Sequence, residues 1–190
     1  MSSYDLCVIG SSWGGLQALD VILGALPSSF GIAIAIVQHR SAGAPDSGLP
    51  AYYEDRTELE VRSVEDKDDI EPGHVYIAPP DYHLLVEPGW FSLSVDAAVQ
   101  FSRPSIDVLF ESAADTYGAR TIGILLTGAN ADGVAGLKRI RDVGGMTLVQ
   151  DPDTAERRTM PEAAIAAGAA REVLGLDEIA ATLTRLGGAG

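Results

Sequence analysis

The stretch Val8–Gly15 (VIGSSWGG) places two adjacent serines, a tryptophan and three glycines directly after the first apolar run. A turn of this composition serves one of two chemistries. A glycine-rich strand-to-helix turn cradles a phosphate with its backbone N–H groups. A sharp turn flanked by glycines exposes a nucleophilic serine. The dinucleotide pattern G-x-G-x-x-G needs glycine at its middle position, where the backbone approaches the pyrophosphate. Gly10 and Gly15 fit the outer positions, but Ser12 occupies the middle one. Gln38-His39-Arg40 stands where an acidic ribose ligand would end the second strand, and no Gly-Lys-Ser/Thr follows to make a Walker loop. The nucleophile pattern G-x-S-x-G matches as Gly10-Ser11-Ser12-Trp13-Gly14, with Ser12 at its centre. The helix that follows such a turn aims N–H groups at developing negative charge.

A serine hydroxyl needs a base. The chain has three histidines. His74 follows Pro72-Gly73 and His83 lies within an apolar stretch, and both read as structural or surface residues. His39 closes the second apolar run, GIAIAIVQ (31–38), so adjacent parallel strands would bring it beside the Ser12 turn. A third group must orient the imidazole and stabilise its protonated form. The stretch LLTGANADGVAG (125–136) supplies Asp132 at the head of a helical pattern. Two readings of Asp132 stay open: it orients His39, or it only caps that helix. The small-residue loop before it faces the same edge, with backbone N–H groups placed to bind an oxyanion. The chain order Ser12, His39, Asp132 after a single strand excludes the α/β-hydrolases, whose order is Ser, Asp, His.

Hydrophobic periodicity predicts the elements that must hold these groups. Buried strands are expected over Tyr4–Ile9, Gly31–Gln38, Thr121–Gly128 and Met146–Gln150. Helices are expected over Gly14–Leu26, Arg103–Gly118, Asp132–Val143, Pro161–Ala167 and Leu176–Leu186. Between them, His74–Pro79, Tyr82–Glu87 and Trp90–Val95 read as three short strands of an antiparallel insertion, separated by Pro79-Pro80-Asp81 and Pro88-Gly89 turns. The fold class that follows is α/β: three layers, doubly wound, with a mostly parallel sheet and a short antiparallel insertion. Sites in such folds open at the carboxyl ends of the strands, here after Ile9, Gln38 and Leu126.

The bulk numbers narrow the field. At 190 residues and 46% hydrophobic, the chain suits one domain with a full core, expected over residues 1–186 with a flexible tail over 187–190. A single cysteine, Cys7, allows no internal disulfide and no thiolate zinc site, and its apolar setting reads as a small buried hydrophobe; a reducing cytoplasm fits this usage. No apolar stretch approaches the ~20 residues of a membrane span, and the N-terminus lacks the pattern of a signal peptide. The formal net charge of −14 argues against a nucleic-acid partner. Acids concentrate between Glu54 and Glu71, where nine stand against Arg56, Arg62 and Lys67 and read as a solvated face.

Taken together, these residues resemble the catalytic domain of the chemotaxis-receptor methylesterases, the CheB family. The family's G-A-S-x-G-G, Q-H-M and L-T-G-M-G-x-D-G are matched by Gly10-Ser11-Ser12-Trp13-Gly14-Gly15, Gln38-His39-Arg40 and Leu126-Thr127-Gly128-Ala129-Asn130-Ala131-Asp132-Gly133. PGHVYIAPPDYHLLVE (72–87), RPSIDVLF (103–110) and MPEAAIAAG (160–168) also look alike, in collinear order over nearly the whole chain. The resemblance implies a serine esterase acting on glutamate γ-methyl esters of receptor signalling helices, with glutamine deamidation in many members. It implies Ser12 as nucleophile, His39 as base and Asp132 as its orienting acid. The oxyanion donors would be backbone N–H groups near Trp13 and Ala129. No metal or organic cofactor is implied. The implied partner is a methylated chemoreceptor-like protein, with no membrane insertion. Four departures bear on this expectation. Trp13 replaces a small residue and either walls the cleft or narrows it, and Ala129 replaces a methionine. Arg40 replaces a methionine and either disfavours protonated His39 or attracts an acidic product. A first strand at Tyr4 leaves no room for the receiver domain of the familiar members, so activity is expected to be constitutive or gated by a separate regulatory protein. A catalytically weak binding module, and an esterase or amidase on another substrate, are the competing expectations.

Overall fold

The computed structural model describes residues 4–39 and 48–188. Its architecture grows from two strands that are apolar on both faces. In β1 (Leu6–Ser11) every residue is buried, with Cys7 and Ile9 directed to one core and Leu6 and Val8 to the other. In β2 (Ala33–Gln38), Ile34 and Ile36 face the first core, and Ala33, Ala35 and Val37 the second. A strand patterned this way needs helices on both sides, which is the arrangement of a buried parallel sheet. The first core is closed by α1 (Gly15–Gly24), α2 (Leu49–Glu54) and α6 (Leu176–Gly187) through Leu19, Ile22, Tyr53, Ile179 and Leu183. The second is closed by α3 (Ile106–Tyr117), α4 (Val134–Asp142) and α5 (Thr159–Ala166) through Phe110, Leu137, Ile140 and Met160. Three layers result, as the sequence pattern implies.

The remaining strands are β3 (Glu60–Ser63), β4 (His74–Ile77), β7 (Thr121–Leu125), β8 (Met146–Gln150) and β9 (Glu172–Leu174). With β1 and β2 they form a seven-stranded sheet of order β3-β4-β2-β1-β7-β8-β9, parallel at every pairing. A separate antiparallel hairpin, β5 (His83–Glu87) and β6 (Trp90–Ser94), lies against α3, where the Ser112 hydroxyl accepts the Val86 amide and Thr116 donates to the Val86 carbonyl.

The insertion is therefore smaller than expected. His74–Ile77 is a member of the main sheet, parallel to both β2 and β3, and only the two hairpin strands are antiparallel. The reason is visible in burial: Val75, Tyr76 and Ile77 are all closed off, on both faces, as an interior parallel strand requires. The sequence pattern also missed β3, β9 and α2. β3 lies in the acidic stretch and buries only Val61, and β9 is an edge strand with no fully buried residue. α2 is six residues long with Pro50 in its first turn. The Gly187 carbonyl at the end of α6 accepts the Gly31 amide at 2.8 Å, and residues 189 and 190 lie outside the described residues. No helix among the described residues is long and apolar enough to cross a membrane. Cys7 is fully buried, and burial pushes its thiol far above the usual range.

One packing contact ties the sheet to the site. Ile106, at the head of α3, fills the space beside the last turn of β1: a Cβ on Gly10 would run into its Cγ2, and one on Gly133 would lie 2.5 Å from the same atom. Ile106 is β-branched and closed in, so it has no spare rotamer. Gly10→Ala is expected to destabilise the fold by about 1–3 kcal/mol, read as a lower urea midpoint at unchanged m-value.

Candidate active site

β1 is flanked by β2 on one side and β7 on the other, so the strand order reverses around its carboxyl end and opens a crevice there. The three candidate residues leave from these three strands. Ser12 follows β1 directly. Its amide donates to the Thr127 carbonyl at 3.0 Å, and its own carbonyl accepts the Gly15 amide at 2.9 Å. Gly14 completes the turn at φ +81°, a conformation that side chains resist, and a Cβ there would also lie 2.7 Å from Glu156. His39 follows β2, with its amide on the Ser11 carbonyl at 2.9 Å. Ser11 pairs with Gln38 in the register of β1 and β2, so Ser12 and His39 stand side by side at the same edge.

Asp132 comes from the loop after β7. Its Oδ2 accepts the His39 Nε2–H at 2.8 Å and the Ile106 amide at 2.7 Å. Its Oδ1 accepts the Ser105 hydroxyl at 2.8 Å and the Asp107 amide at 3.0 Å. The carboxylate is fully buried with four donors. Burial alone would raise its pKa. The hydrogen bond from His39, the Asp107 and Ile106 amides and the Ser105 hydroxyl outweigh that and hold it below the ordinary carboxylate range. The question of capping is settled by position. The helix after Asp132 starts from Gly133, with φ +94° and no side-chain cap. Asp132 instead meets the first-turn amides of α3, a helix from another part of the chain, whose N-terminal dipole favours its negative charge. Nearby Asp107 moves the other way: burial, then the charge of Asp132, raise its pKa against the lowering effect of the Gly136 amide.

An ionised Asp132 can only accept, so Nε2 of His39 carries the proton of that pair, and in the neutral ring Nδ1 is the nitrogen that can take another. In the serine-protease template the two ring nitrogens have the opposite assignments, but the chemistry needs only one nitrogen fixed by the acid and the other free. The His39 side chain is 11% exposed, so this edge is reachable from solvent.

Around this line the turn is buckled in place. The Thr127 hydroxyl donates to the Trp13 carbonyl at 2.9 Å and accepts the Arg157 amide at 2.9 Å, while the Thr127 amide donates to Gln150 Oε1. Met160 packs beneath: a Cβ on Gly128 would lie 2.5 Å from its Cε and 3.1 Å from the Ser12 Cβ. Among the described residues, the amides of Trp13 and Ala129, the two sequence-predicted oxyanion positions, donate to no protein acceptor. Ser11 and Ser12 pack against different neighbours, Ser11 against Gly15 and Ser12 against Gly128. Ser11 is fully buried, and its hydroxyl has no hydrogen-bond partner among the described residues. Trp13 is 59% exposed, with its Nε1–H on Glu156 Oε1 at 2.6 Å and the Arg157 guanidinium 5.2 Å from its ring centroid. Arg40 lies outside the described residues.

The other histidines stay apart from this line. His74 sits at the surface beside Glu60 and Glu71. His83 is buried, with its Nε2–H on the Ala97 carbonyl and its Nδ1 accepting the Ser105 amide. Ser105, Thr127, Glu156 and Arg157 were not singled out by the sequence. The one usable signal was for Ser105, which precedes an apolar-periodic helix as an N-cap residue does; its hydroxyl serves Asp132 instead of its own helix.

A protein-family model described as CheB methylesterase matches residues 7–183. A Leptospira interrogans protein, provisionally named a protein-glutamate methylesterase/protein-glutamine glutaminase, is 48% identical over 97% of this chain and 95% of its own length. The protein-glutamate methylesterase FrzG of Myxococcus xanthus is 42% identical over 95% of this chain, which spans 54% of that longer protein. The crystal structure of the Thermotoga maritima CheB methylesterase catalytic domain superposes with a TM-score of 0.92 at 35% identity, covering 96% of this chain and 98% of that one. The chain belongs to the CheB methylesterase family.

Proposed function

We propose that this chain, read as one catalytic domain over residues 1–186, is a cytoplasmic protein-glutamate methylesterase that removes methyl groups from glutamate side chains of methylated chemoreceptors. The observation that carries the assignment of roles is the buried, four-donor Asp132 carboxylate on His39 Nε2, beside the turn that presents Ser12. His39 Nδ1 takes the Ser12 proton as the hydroxyl oxygen attacks the ester carbonyl. The tetrahedral oxyanion is held by the Trp13 and Ala129 amides. His39 returns the proton to the leaving methoxide, methanol departs, and water hydrolyses the glutamyl-Ser12 ester by the same route in reverse. Asp132 fixes the tautomer and stabilises the imidazolium in both halves. A glutamine amide can enter the same sequence with ammonia as leaving group, in keeping with the glutaminase activity that several relatives carry in their names.

The test is methanol release from methylated receptor helices, paired with labelling by a fluorophosphonate probe. Labelling of the wild type that is lost in both Ser12→Ala and His39→Ala supports the assignment. No labelling of a folded wild type, with receptor binding retained, turns the reading to a binding module. Labelling without methanol release turns it to an esterase or amidase of different specificity.

A further inference from the structure

Beside Ser12 stands a second cluster that the ester chemistry does not use. Trp13 projects from the nucleophile turn with most of its surface in solvent. It is nonetheless fixed at three points: its carbonyl by Thr127, its indole N–H by Glu156, and its ring face by the Arg157 guanidinium. An exposed indole held this firmly is a wall and not a loose side chain. Glu156 is spent on the structure. One oxygen accepts the indole N–H, and its stem and other oxygen lie over Gly14, 2.7 and 2.8 Å from where a Cβ would be. Arg157 is different. Its guanidinium lies on the Trp13 ring, and among the described residues no carboxylate stands within ion-pair distance of it. In a chain of net charge −14, this guanidinium is an exposed cation beside the reactive turn whose planar donors are not taken up by a carboxylate among the described residues.

We propose that Arg157, laid on Trp13, forms an acid-accepting subsite that selects ester-bearing helices with a second, free carboxylate next to the scissile ester. The inference rests on the esterase reading given above. Trp13 is covalently next to Ser12, and the guanidinium lies 5.2 Å from its ring centroid. On a helix, residues three and four apart are neighbours with about 5–6 Å between Cβ atoms. A glutamate or aspartate three or four positions from the esterified residue lies on the same helix face, and it is the acid that a guanidinium laid on the residue after Ser12 would meet. The planar guanidinium suits a carboxylate through two parallel N–H donors, and its stacking on the indole orients it beforehand.

The experiment uses helical peptides with one glutamate γ-methyl ester, flanked at three and four positions either by glutamate or by alanine, and p-nitrophenyl acetate as a small neutral ester. Methanol or nitrophenol release is followed for the wild type, Arg157→Gln and Arg157→Glu. The wild type is expected to favour the glutamate-flanked peptide by up to about fivefold in kcat/KM, the range of an exposed ion pair. Arg157→Gln is expected to erase the preference, Arg157→Glu to invert it, and neither to change p-nitrophenyl acetate hydrolysis. Equal rates on the two peptides in the wild type, a preference that survives Arg157→Gln, or a loss shared by the small ester overturns the subsite while leaving the esterase reading intact. A wild type that hydrolyses neither peptide nor small ester overturns both.

Discussion

Asp132→Asn is expected to lower kcat on a small ester by about 10⁴ while the protein remains folded. The amide can place its oxygen where Oδ2 was, keeping the bonds from His39 Nε2 and the Ile106 amide. Its NH₂ then faces the Ser105 hydroxyl, which can turn to accept, and the Asp107 amide, which cannot. One buried N–H is orphaned, at a cost of about 1–3 kcal/mol. The larger loss is catalytic: no negative charge remains to stabilise the imidazolium, and the amide in its flipped orientation, with its NH₂ facing His39, holds the ring in the wrong tautomer. Asp132→Ala removes the acceptors of the Ile106 and Asp107 amides at the head of α3 and is expected to lower the urea midpoint further than Asp132→Asn, with no better activity. If Asp132→Asn stays within tenfold of the wild type, Asp132 is only the buried cap of α3. The pH dependence separates the two functions again. The folded-state pKa of Asp132 is depressed, so its contribution to stability is complete above the ordinary carboxylate value and is lost as pH falls through the depressed one. Asp107, whose pKa is raised, works in the opposite sense: its penalty fades as pH falls through its raised value. Unfolding free energy followed into the acid range should fall steeply below the usual carboxylate range in the wild type, and this limb should flatten in Asp132→Asn.

The parts of this site that could be read from the sequence are those written in contiguous letters. Ser12 sits in a glycine-flanked turn, His39 closes a strand that is apolar on both faces, and Asp132 follows a run of small residues. Each signal is local, and the parallel sheet is the only structure needed to bring the three edges together. What could not be read is whatever depends on a partner far along the chain. Ser105 and the amides of Ile106 and Asp107 hold Asp132 from about 26 residues away. Glu156 holds Trp13 across 143. No periodicity records such pairs. The same holds for the strands: β8 has an unmistakable core pattern, whereas β3 buries one side chain and β9 none. The misjudged insertion has a related cause. A four-residue apolar strand looks the same whether its neighbours run parallel or antiparallel, and only the register of His74–Ile77 between β2 and β3 decides it.

The two adjacent serines make the sharpest comparison, because they differ in setting and not in chemistry. Ser12→Ala removes the nucleophile. By analogy with serine proteases, where loss of the serine costs on the order of 10⁶ in kcat, esterase activity should fall to the detection limit, and fluorophosphonate labelling should vanish with it. Stability should change little, since the Ser12 backbone bonds to Thr127 and Gly15 remain. Ser11→Ala, one residue earlier, should do the reverse. Its hydroxyl is closed off from solvent with no partner among the described residues, so it carries a desolvation cost in the folded state that a methyl group lacks. Activity should be unchanged and stability equal or higher, by up to about 1 kcal/mol. Ser11 ends β1 with its hydroxyl packed against Gly15, whereas Ser12 begins the turn with its Cβ beside Gly128, and this difference in setting predicts that the pair cannot exchange roles. A Ser12→Ala protein that keeps labelling and turnover, with both lost in Ser11→Ala, would mean that the turn presents its residues in the other register, and the assignment of the nucleophile would pass to Ser11.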